Sequence, residues 1–244
     1  MLTLLRKNEI IQKMRVNKLP HLDSELSELQ LKENYDFFIE YLKSVFSGER
    51  LEKLLELYDM KNFGNALMVA PASGTLHYHN AHIGGYLQHV MNVTYASEYV
   101  EKIMLGLSSV SSDYTTEERI MAALHHDLGK LGKKGESYYI REQEQWAIKR
   151  GKVFKHNPNI QLWDVPDYAL FILQENKIPI TEKEMLGIKM SDGLYSDKNK
   201  FYLMQSSDES SLRTMLPHII HWADNMSARG EYCEWKMKME SILS

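Results

Sequence analysis

The stretch Ile120-Met-Ala-Ala-Leu-His-His-Asp-Leu-Gly-Lys130 decides the fold, because apolar residues alternate in it with two histidines, an aspartate and a lysine. Just upstream, Thr115 and Glu118 have the spacing of a helix capping box. Gly129 and Gly132 are typical of a helix end. We therefore predict a short, mostly buried helix that begins near Thr115 and closes at these two glycines.

One side of this predicted helix carries ionisable groups. At 3.6 residues per turn, His126, Asp127 and Lys130 fall on one stripe beside an apolar stripe, whereas His125 lies on the other side. Burying an imidazole next to a carboxylate is costly unless a metal ion or a charged partner satisfies both. We favour a metal site, and an ordinary ion pair at a helix end is the alternative for an isolated His-Asp pair.

The composition is that of a globular protein. Of 244 residues, 43% are hydrophobic and 25% are charged, which allows a sizeable core and one large domain or a domain with an appendage. No apolar run approaches the roughly 18 residues of a membrane span, and the amino-terminal residues do not read as a secretory signal. The single cysteine excludes an internal disulfide framework. We therefore expect a cytoplasmic protein without a membrane partner.

The charge balance bears on the partner. The formal net charge is −4, and no block of five lysines and arginines occurs. Extended nucleic-acid binding surfaces are usually strongly basic. We therefore expect a small-molecule or short substrate rather than a long polymer, and the composition leaves the oligomeric state open.

Hydrophobic periodicity divides the chain into two parts. Residues 1–64 are predicted to form a helical segment that packs on the main domain, with its second helix over 49–59. Residues 65–244 are predicted to form that main domain. Within it, Thr181 and Glu184 have the spacing of another capping box and predict one of its helices.

A second stretch with histidines is His79-Asn-Ala-His-Ile-Gly-Gly-Tyr-Leu-Gln-His89. Asn80 is a suitable N-cap, so we predict a helix that begins there and runs to about Leu105. Gly84 and Gly85 lower helix propensity, and we expect them to permit the close approach of another helix just before His89.

A third stretch, His218-Ile-Ile-His-Trp-Ala-Asp224-Asn, lies near the carboxyl end. We predict a long helix over 210–229 and expect Pro217 to kink it. A separate amphipathic helix is predicted over 231–243.

The run Ala123-Leu-His-His-Asp-Leu-Gly-Lys130 resembles the central motif of the HD-domain metal-dependent phosphohydrolases. That family also has an upstream histidine and a downstream aspartate, and the stretches with His89 and Asp224 are similar to those motifs. The resemblance covers about residues 68–230 through sparse motifs and is closest to the His-Asp-x-Gly-Lys subgroup. It implies an HD-domain helical bundle, so we predict an all-α fold with a small β-hairpin insertion.

The resemblance implies that one divalent metal ion is bound by His89, His126, Asp127 and Asp224. Two imidazoles and two carboxylates suit Mn, Co, Ni, Fe or Zn better than an all-oxygen Mg site, although Mg stays open as an alternative. In the resembling subgroup the lysine of the motif meets the phosphate. Lys130 is therefore a candidate catalytic residue together with Asp127, and the alternative is a cation that favours a helix C-terminus.

A second metal or the substrate has its own candidates. Alternation around Arg150-Gly151 predicts a β-hairpin that presents His156 at its exit, and the resemblance implies that a histidine at this place serves a second metal. Asp192 stands where HD phosphodiesterases often have a His-His-Gly sequence, and its alternative is a turn residue at a helix end. Weaker candidates are His79, His82, His221 and Arg229.

The resulting expectation is a metal-dependent hydrolase of phosphate esters. A nucleotide phosphohydrolase is favoured, in particular a 5′-(deoxy)ribonucleoside monophosphatase with a small-molecule nucleotide substrate. The alternatives are a phosphodiesterase, of the 3′–5′ exonuclease or the cyclic-nucleotide type, and a non-catalytic module that senses nucleotides.

Overall fold

The computed structural model describes residues 19–107, 111–205, 207, 209 and 211–243, and these are mostly helical. The all-α class is thereby confirmed. The first 18 residues of the predicted N-terminal segment lie outside the described residues. In chain order the α-helices are α1 Glu28–Val45, α2 Gly48–Leu57, α3 Gly64–Val69, α4 Gly85–Gly106, α5 Thr116–His125, α6 Gln145–Lys149, α7 Val165–Glu175, α8 Glu182–Lys189, α9 Asp197–Leu203 and α10 Leu216–Leu243.

Shorter elements lie between these helices. Two 3₁₀ turns cover Leu128–Leu131 and Gly193–Tyr195. Strands β1, Tyr139–Arg141, and β2, Phe154–His156, form an antiparallel pair in which Tyr139 lies opposite His156.

Capping boxes start two of the helices near the centre of the molecule. The Thr115 hydroxyl accepts from the Glu118 backbone N–H at 3.1 Å, and the Glu118 carboxylate accepts from the Thr115 N–H at 2.8 Å. Thr181 and Glu184 make the same reciprocal pair ahead of α8. Each box satisfies backbone donors that the first helical turn leaves unpaired. Both predicted capping boxes are confirmed.

One hydrophobic core joins the N-terminal helices to the rest of the described chain. It includes Leu42 of α1 and Leu54 of α2 together with Leu87 of α4, Leu124 of α5 and Ile219 of α10. Helix α4 packs against both α5 and α10, and α8 packs against the same two helices. The three helices that carry the sequence motifs therefore meet in the interior.

Helix α4 begins four residues later than predicted. Its N-cap is Gly84, whose φ of 80° is left-handed, and Asn80 with a φ of 41° belongs to the preceding loop. A Cβ on Gly85 would overlap the carbonyl oxygen of Asn80. The predicted start at Asn80 is wrong because the chain folds back on itself between Asn80 and Gly85, which only small residues permit.

The carboxyl-terminal region also differs from the prediction. A single helix, α10, runs over Leu216–Leu243, so the start at 210, the kink and the separate tail helix are all wrong. Pro217 stands in the first turn, where its missing N–H leaves no intrahelical hydrogen bond unmade. Gly230 lies inside the helix, and its cost of about 1 kcal/mol does not interrupt it.

The predicted hairpin exists, but its connection is different. Residues 142–153 join β1 to β2 and contain α6, while Gly151, with a φ of 82°, ends that helix instead of forming a tight turn. The carbonyl oxygen of Gly74 accepts from the backbone N–H groups of Val153 and Phe154, at 2.9 and 3.0 Å. This contact with an earlier loop stabilises the strand pair. Two strands of three residues would not be stable by themselves.

Over the described part of the chain, every helix is either too short or too polar to cross a lipid bilayer.

A buried ion pair ties α2 to α5 and α8. The Arg50 guanidinium donates to both carboxylate oxygens of Glu184, at 2.7 and 3.2 Å, and to Glu117 at 3.1 Å. The Glu184 side chain is fully buried. Removing the arginine would leave this carboxylate without its cation in the interior.

We expect Arg50→Ala to lower the free energy of unfolding by about 3 to 5 kcal/mol, because Glu184 then stays buried and unpaired. Urea denaturation followed by circular dichroism measures this loss. The double variant Arg50→Met/Glu184→Leu is expected to be far more stable than the single variant. Lys32→Ala, which breaks an exposed pair with Asp36, is the control and should cost less than about 1 kcal/mol. An Arg50→Ala protein as stable as this control would contradict the prediction.

Candidate metal centre

Four side chains converge from three helical regions. His89 lies on α4, His126 and Asp127 directly follow α5, and Asp224 lies on α10. The Nε2 atom of His89 is 3.1 Å from Asp224 Oδ1 and 3.6 Å from Asp127 Oδ2. The Nε2 atom of His126 is 3.5 Å from Asp127 Oδ2 and 3.7 Å from Asp224 Oδ1. The structure thus brings together the four residues that the sequence analysis grouped.

The two imidazoles are held by their Nδ1 atoms. Nδ1–H of His126 donates to the carbonyl oxygen of Ala123 at 2.8 Å. Nδ1–H of His89 donates to the Glu231 carboxylate at 3.0 Å, and the Asn92 amide donates to the same carboxylate at 2.8 Å. Both Nε2 atoms are buried and have no hydrogen-bond partner. Each ring is therefore fixed so that its free nitrogen faces the carboxylates.

The end of α5 sets the position of the aspartate and the lysine. The helix ends at His125, earlier than the predicted closure at Gly129, and the chain continues into the 3₁₀ turn Leu128–Leu131. In this tighter turn, Lys130 lies over Asp127, and its Nζ donates to Asp127 Oδ2 at 2.6 Å. The Lys130 ammonium and the Asp127 carboxylate are adjacent, as the predicted α-helix also required. A 3₁₀ turn brings them together instead of an α-helical turn.

The centre contains more negative than positive charge. Burial alone would lower the pKa of His89, but Glu231 and Asp224 outweigh it and raise that pKa to about 10. Burial would raise the pKa of Asp224, but the adjacent imidazoles of His126 and His89 hold that pKa well below its usual value. The carboxylates therefore favour a positive charge between them, which either protons on the imidazoles or a cation can supply.

The donor set fits a metal ion. Two groups have their donor atoms within 4.8 Å of one another: His89, His126 and Asp224, and His79, His89 and Asp127. A divalent cation would satisfy the two unpartnered Nε2 atoms and neutralise the carboxylates at once. These buried His and Asp groups could therefore hold a metal ion.

His79 belongs to the second of these groups. Its ring lies against that of His89, with 4.4 Å between the centroids, and its Nε2 is buried without a partner. Burial lowers the pKa of His79, and the nearby positive charges of His89 and Lys130 lower it further. The ring is thus held neutral, the form in which an imidazole binds a metal.

The remaining histidine candidates do not join either group among the described residues. His156 lies at the end of β2 and lines a cavity together with His79 and Lys130. The Nδ1–H groups of His82 and His221 donate to the backbone carbonyl oxygens of Ile83 and Ser191, at 3.0 and 3.1 Å, which are structural roles.

Asp192 and Arg229 lie at the edge of the centre. The Asp192 residue is exposed, yet the pKa of its carboxyl is raised to about 6, by desolvation first and then by the charge of Asp127. Arg229 is exposed and lines a second cavity together with Asp224. Arg229 is therefore placed to meet a ligand, whereas Asp192 lines neither cavity and belongs to neither His/Asp group.

Glu231 was not predicted from the sequence. It lies seven residues after Asp224 on α10, so both side chains face the same side of the helix. The spacing was a usable signal, but the predicted break between 229 and 231 placed the two residues on different helices. A carboxylate that holds the far nitrogen of a ligating histidine is a common feature of metal sites.

No family model, no curated protein sequence and no solved structure matches this chain. The class of protein is therefore argued from the site itself.

We expect the wild-type chain to be stabilised by Mn, Co, Ni or Zn ions, and Asp224→Asn to lose this effect because it removes a charged donor. At a metal concentration about 100 times the dissociation constant, the melting temperature should rise by about 5 to 10 °C. Thermal melts of metal-stripped protein with and without each ion measure the shift. The control, Asp36→Asn on the exposed face of α1, should keep it. Equal shifts in the two variants would exclude Asp224 as a ligand.

Glu231→Gln is expected to weaken metal binding about 10- to 100-fold, because the amide orients His89 but no longer increases the basicity of its ring. Isothermal titration calorimetry with the same ions measures the dissociation constant. Glu234→Gln, at an exposed position on the same helix, should bind as the wild type does. Unchanged affinity in both variants would show that Glu231 only packs against His89.

Proposed function

We propose that this chain is a metal-dependent phosphoester hydrolase that removes phosphate from nucleoside monophosphates. The observation that carries the proposal is the convergence of His89, His126, Asp127 and Asp224 on one buried point with Lys130 beside them. Imidazole and carboxylate donors next to a fixed ammonium are the groups that phosphoryl transfer requires.

The chain's own residues account for binding and orientation. His89, His126, Asp127 and Asp224 would hold a divalent ion, which would supply polarisation of a phosphoryl oxygen and a lower pKa for water. Lys130 supplies a positive charge that is held in place by Asp127, and burial alone would lower its pKa, but Asp127 raises it. The lysine therefore stays protonated and is ready to neutralise phosphate oxygens without rearrangement.

The proposal includes a specific fold, the HD-type helical bundle. The donors come in the chain order histidine on α4, His-Asp after α5, and aspartate on α10, which is the order of the HD motifs. The packing of α4 against both α5 and α10 supports an HD-type helical bundle around the centre. Glu231 and the 3₁₀ turn then orient the donors within that bundle.

Phosphate release from a panel of ribo- and deoxyribonucleoside monophosphates, with Mn, Co, Ni, Zn and Mg in turn, tests the proposal. His126→Ala is expected to lower turnover by about 100-fold or more, because loss of a ligand should cost at least as much as loss of its supporting partner. His218→Ala, a half-buried histidine of α10 outside both His/Asp groups, is the control.

The same assay separates the other functions. Cleavage of a labelled oligonucleotide or of a cyclic nucleotide, without phosphate release from monophosphates, would replace the monophosphatase by a phosphodiesterase. Nucleotide binding without turnover on any ester would leave a sensing module. Full turnover by a folded His126→Ala protein would remove the cluster from the mechanism.

A further inference from the structure

Two cavities meet beside the metal centre. One has a volume of about 310 Å³ and the other about 390 Å³. Tyr78 and His79 line both. Lys130 lines the smaller cavity and Asp224 the larger, so the cluster lies between them. Each cavity therefore has one residue of the cluster, or the lysine beside it, in its wall.

The smaller cavity is positively charged. Lys130, Lys152 and Lys155 line it, and none of the described residues in its wall is acidic. We call it the lysine cavity. A space lined by several ammonium groups and by no carboxylate favours an anionic ligand.

Glu142 fixes two of these lysines from behind. Its carboxylate lies 3.4 Å from Lys152 Nζ and 3.2 Å from Lys155 Nζ. The same carboxylate accepts backbone N–H groups from Gln143 and Glu144, at 3.0 and 3.2 Å. One carboxylate thus orients two ammonium groups, and a net positive charge remains for a ligand.

Two histidines add unpaired polar atoms to the lysine cavity. The Nε2 atoms of His79 and His156 are buried and have no hydrogen-bond partner, and both residues line this cavity. A buried polar atom without a partner is unfavourable. Phosphate oxygens can act as partners for such nitrogens and for the lysines together.

The larger cavity has a different lining. Tyr78, Tyr195 and Tyr232 line it together with Arg229, and we call it the tyrosine cavity. Tyrosine rings and a guanidinium are the groups on which nucleobases stack. This space suits the base of a nucleotide whose phosphate reaches the cluster.

A nucleoside monophosphate would occupy the cluster, Lys130 and the tyrosine cavity but would leave Lys152 and Lys155 of the lysine cavity without an anion. We infer that a nucleotide with a second phosphoryl group is preferred to the monophosphate, because that group binds to Lys152 and Lys155 while the scissile phosphate lies at the cluster. The inference rests on the proposed function in so far as it concerns hydrolysis. The preference for a doubly phosphorylated nucleotide is measured by binding affinity and does not require hydrolysis.

Calorimetric titration of the whole chain with adenosine 5′-monophosphate, adenosine diphosphate and adenosine 3′,5′-bisphosphate tests this inference. At least one of the two doubly phosphorylated nucleotides is expected to bind about 10- to 100-fold more tightly than the monophosphate, as charge-assisted hydrogen bonds to two lysines predict. Lys152→Ala/Lys155→Ala should remove this difference, and Lys152→Arg/Lys155→Arg should retain most of it.

Lys133→Ala/Lys134→Ala, which removes two exposed lysines outside the cavity, is the control and should keep the wild-type preference. Equal binding of all three nucleotides by the wild type would overturn the inference, as would a preference that survives in the Lys152→Ala/Lys155→Ala variant. A preference without hydrolysis of any nucleotide would support the inference and contradict only the proposed function. Hydrolysis of nucleotides without a preference for two phosphates would support the proposed function and contradict the inference.

Discussion

The constraint on which the structure depends is charge balance at a buried point. Two imidazole nitrogens without hydrogen-bond partners face two carboxylates in the interior of a helical protein. Asp127 is buried and Asp224 is half-buried, so a nearby positive charge is needed to offset the two carboxylates. Lys130 supplies one from the side, and the raised pKa of His89 shows that the carboxylates still attract another. Protons on the two free Nε2 atoms can supply it, and so can one divalent ion held by both nitrogens and the carboxylates together.

Three local features of the backbone bring the donors to this point. The left-handed residue Gly84 starts α4 late, so that His89 lies in the second turn of the helix. The change from α-helix to 3₁₀ turn after His125 places Asp127 and Lys130 together. The continuity of α10 keeps Asp224 and Glu231 on one face. Each feature is a backbone property, and the packed core around the helices keeps the donor geometry fixed.

The sequence predicts those parts of the fold that local spacing determines. The capping box at Thr115, the helical class and the shared side of His126, Asp127 and Lys130 follow from periodicities of three and four residues, whereas His89 and Asp224 were added to them only by the resemblance. The start of α4 does not, because it depends on the close approach of Asn80 to Gly85. Glu231 was missed for a related reason: one predicted helix ended at 229 and the next began at 231, whereas in the fold Glu231 contacts His89 and Asn92 of α4 from a continuous helix. A spacing of three or four residues describes one helix and does not predict how closely two distant segments of the chain approach each other.

The hairpin formed by β1 and β2 contributes lysines and a histidine to the lysine cavity but no member of the two His/Asp groups. It supplies none of the His/Asp groups found among the described residues, yet Lys155 and His156 lie on β2 and Lys152 lies just before it. Strands of three residues are not stable alone, and the Gly74 carbonyl holds β2 against the loop that also carries His79. The lysine cavity is therefore assembled from the hairpin and this loop, while the metal ligands come mainly from buried helices. Changes in the hairpin can alter which anion is bound without moving the groups that would hold the metal.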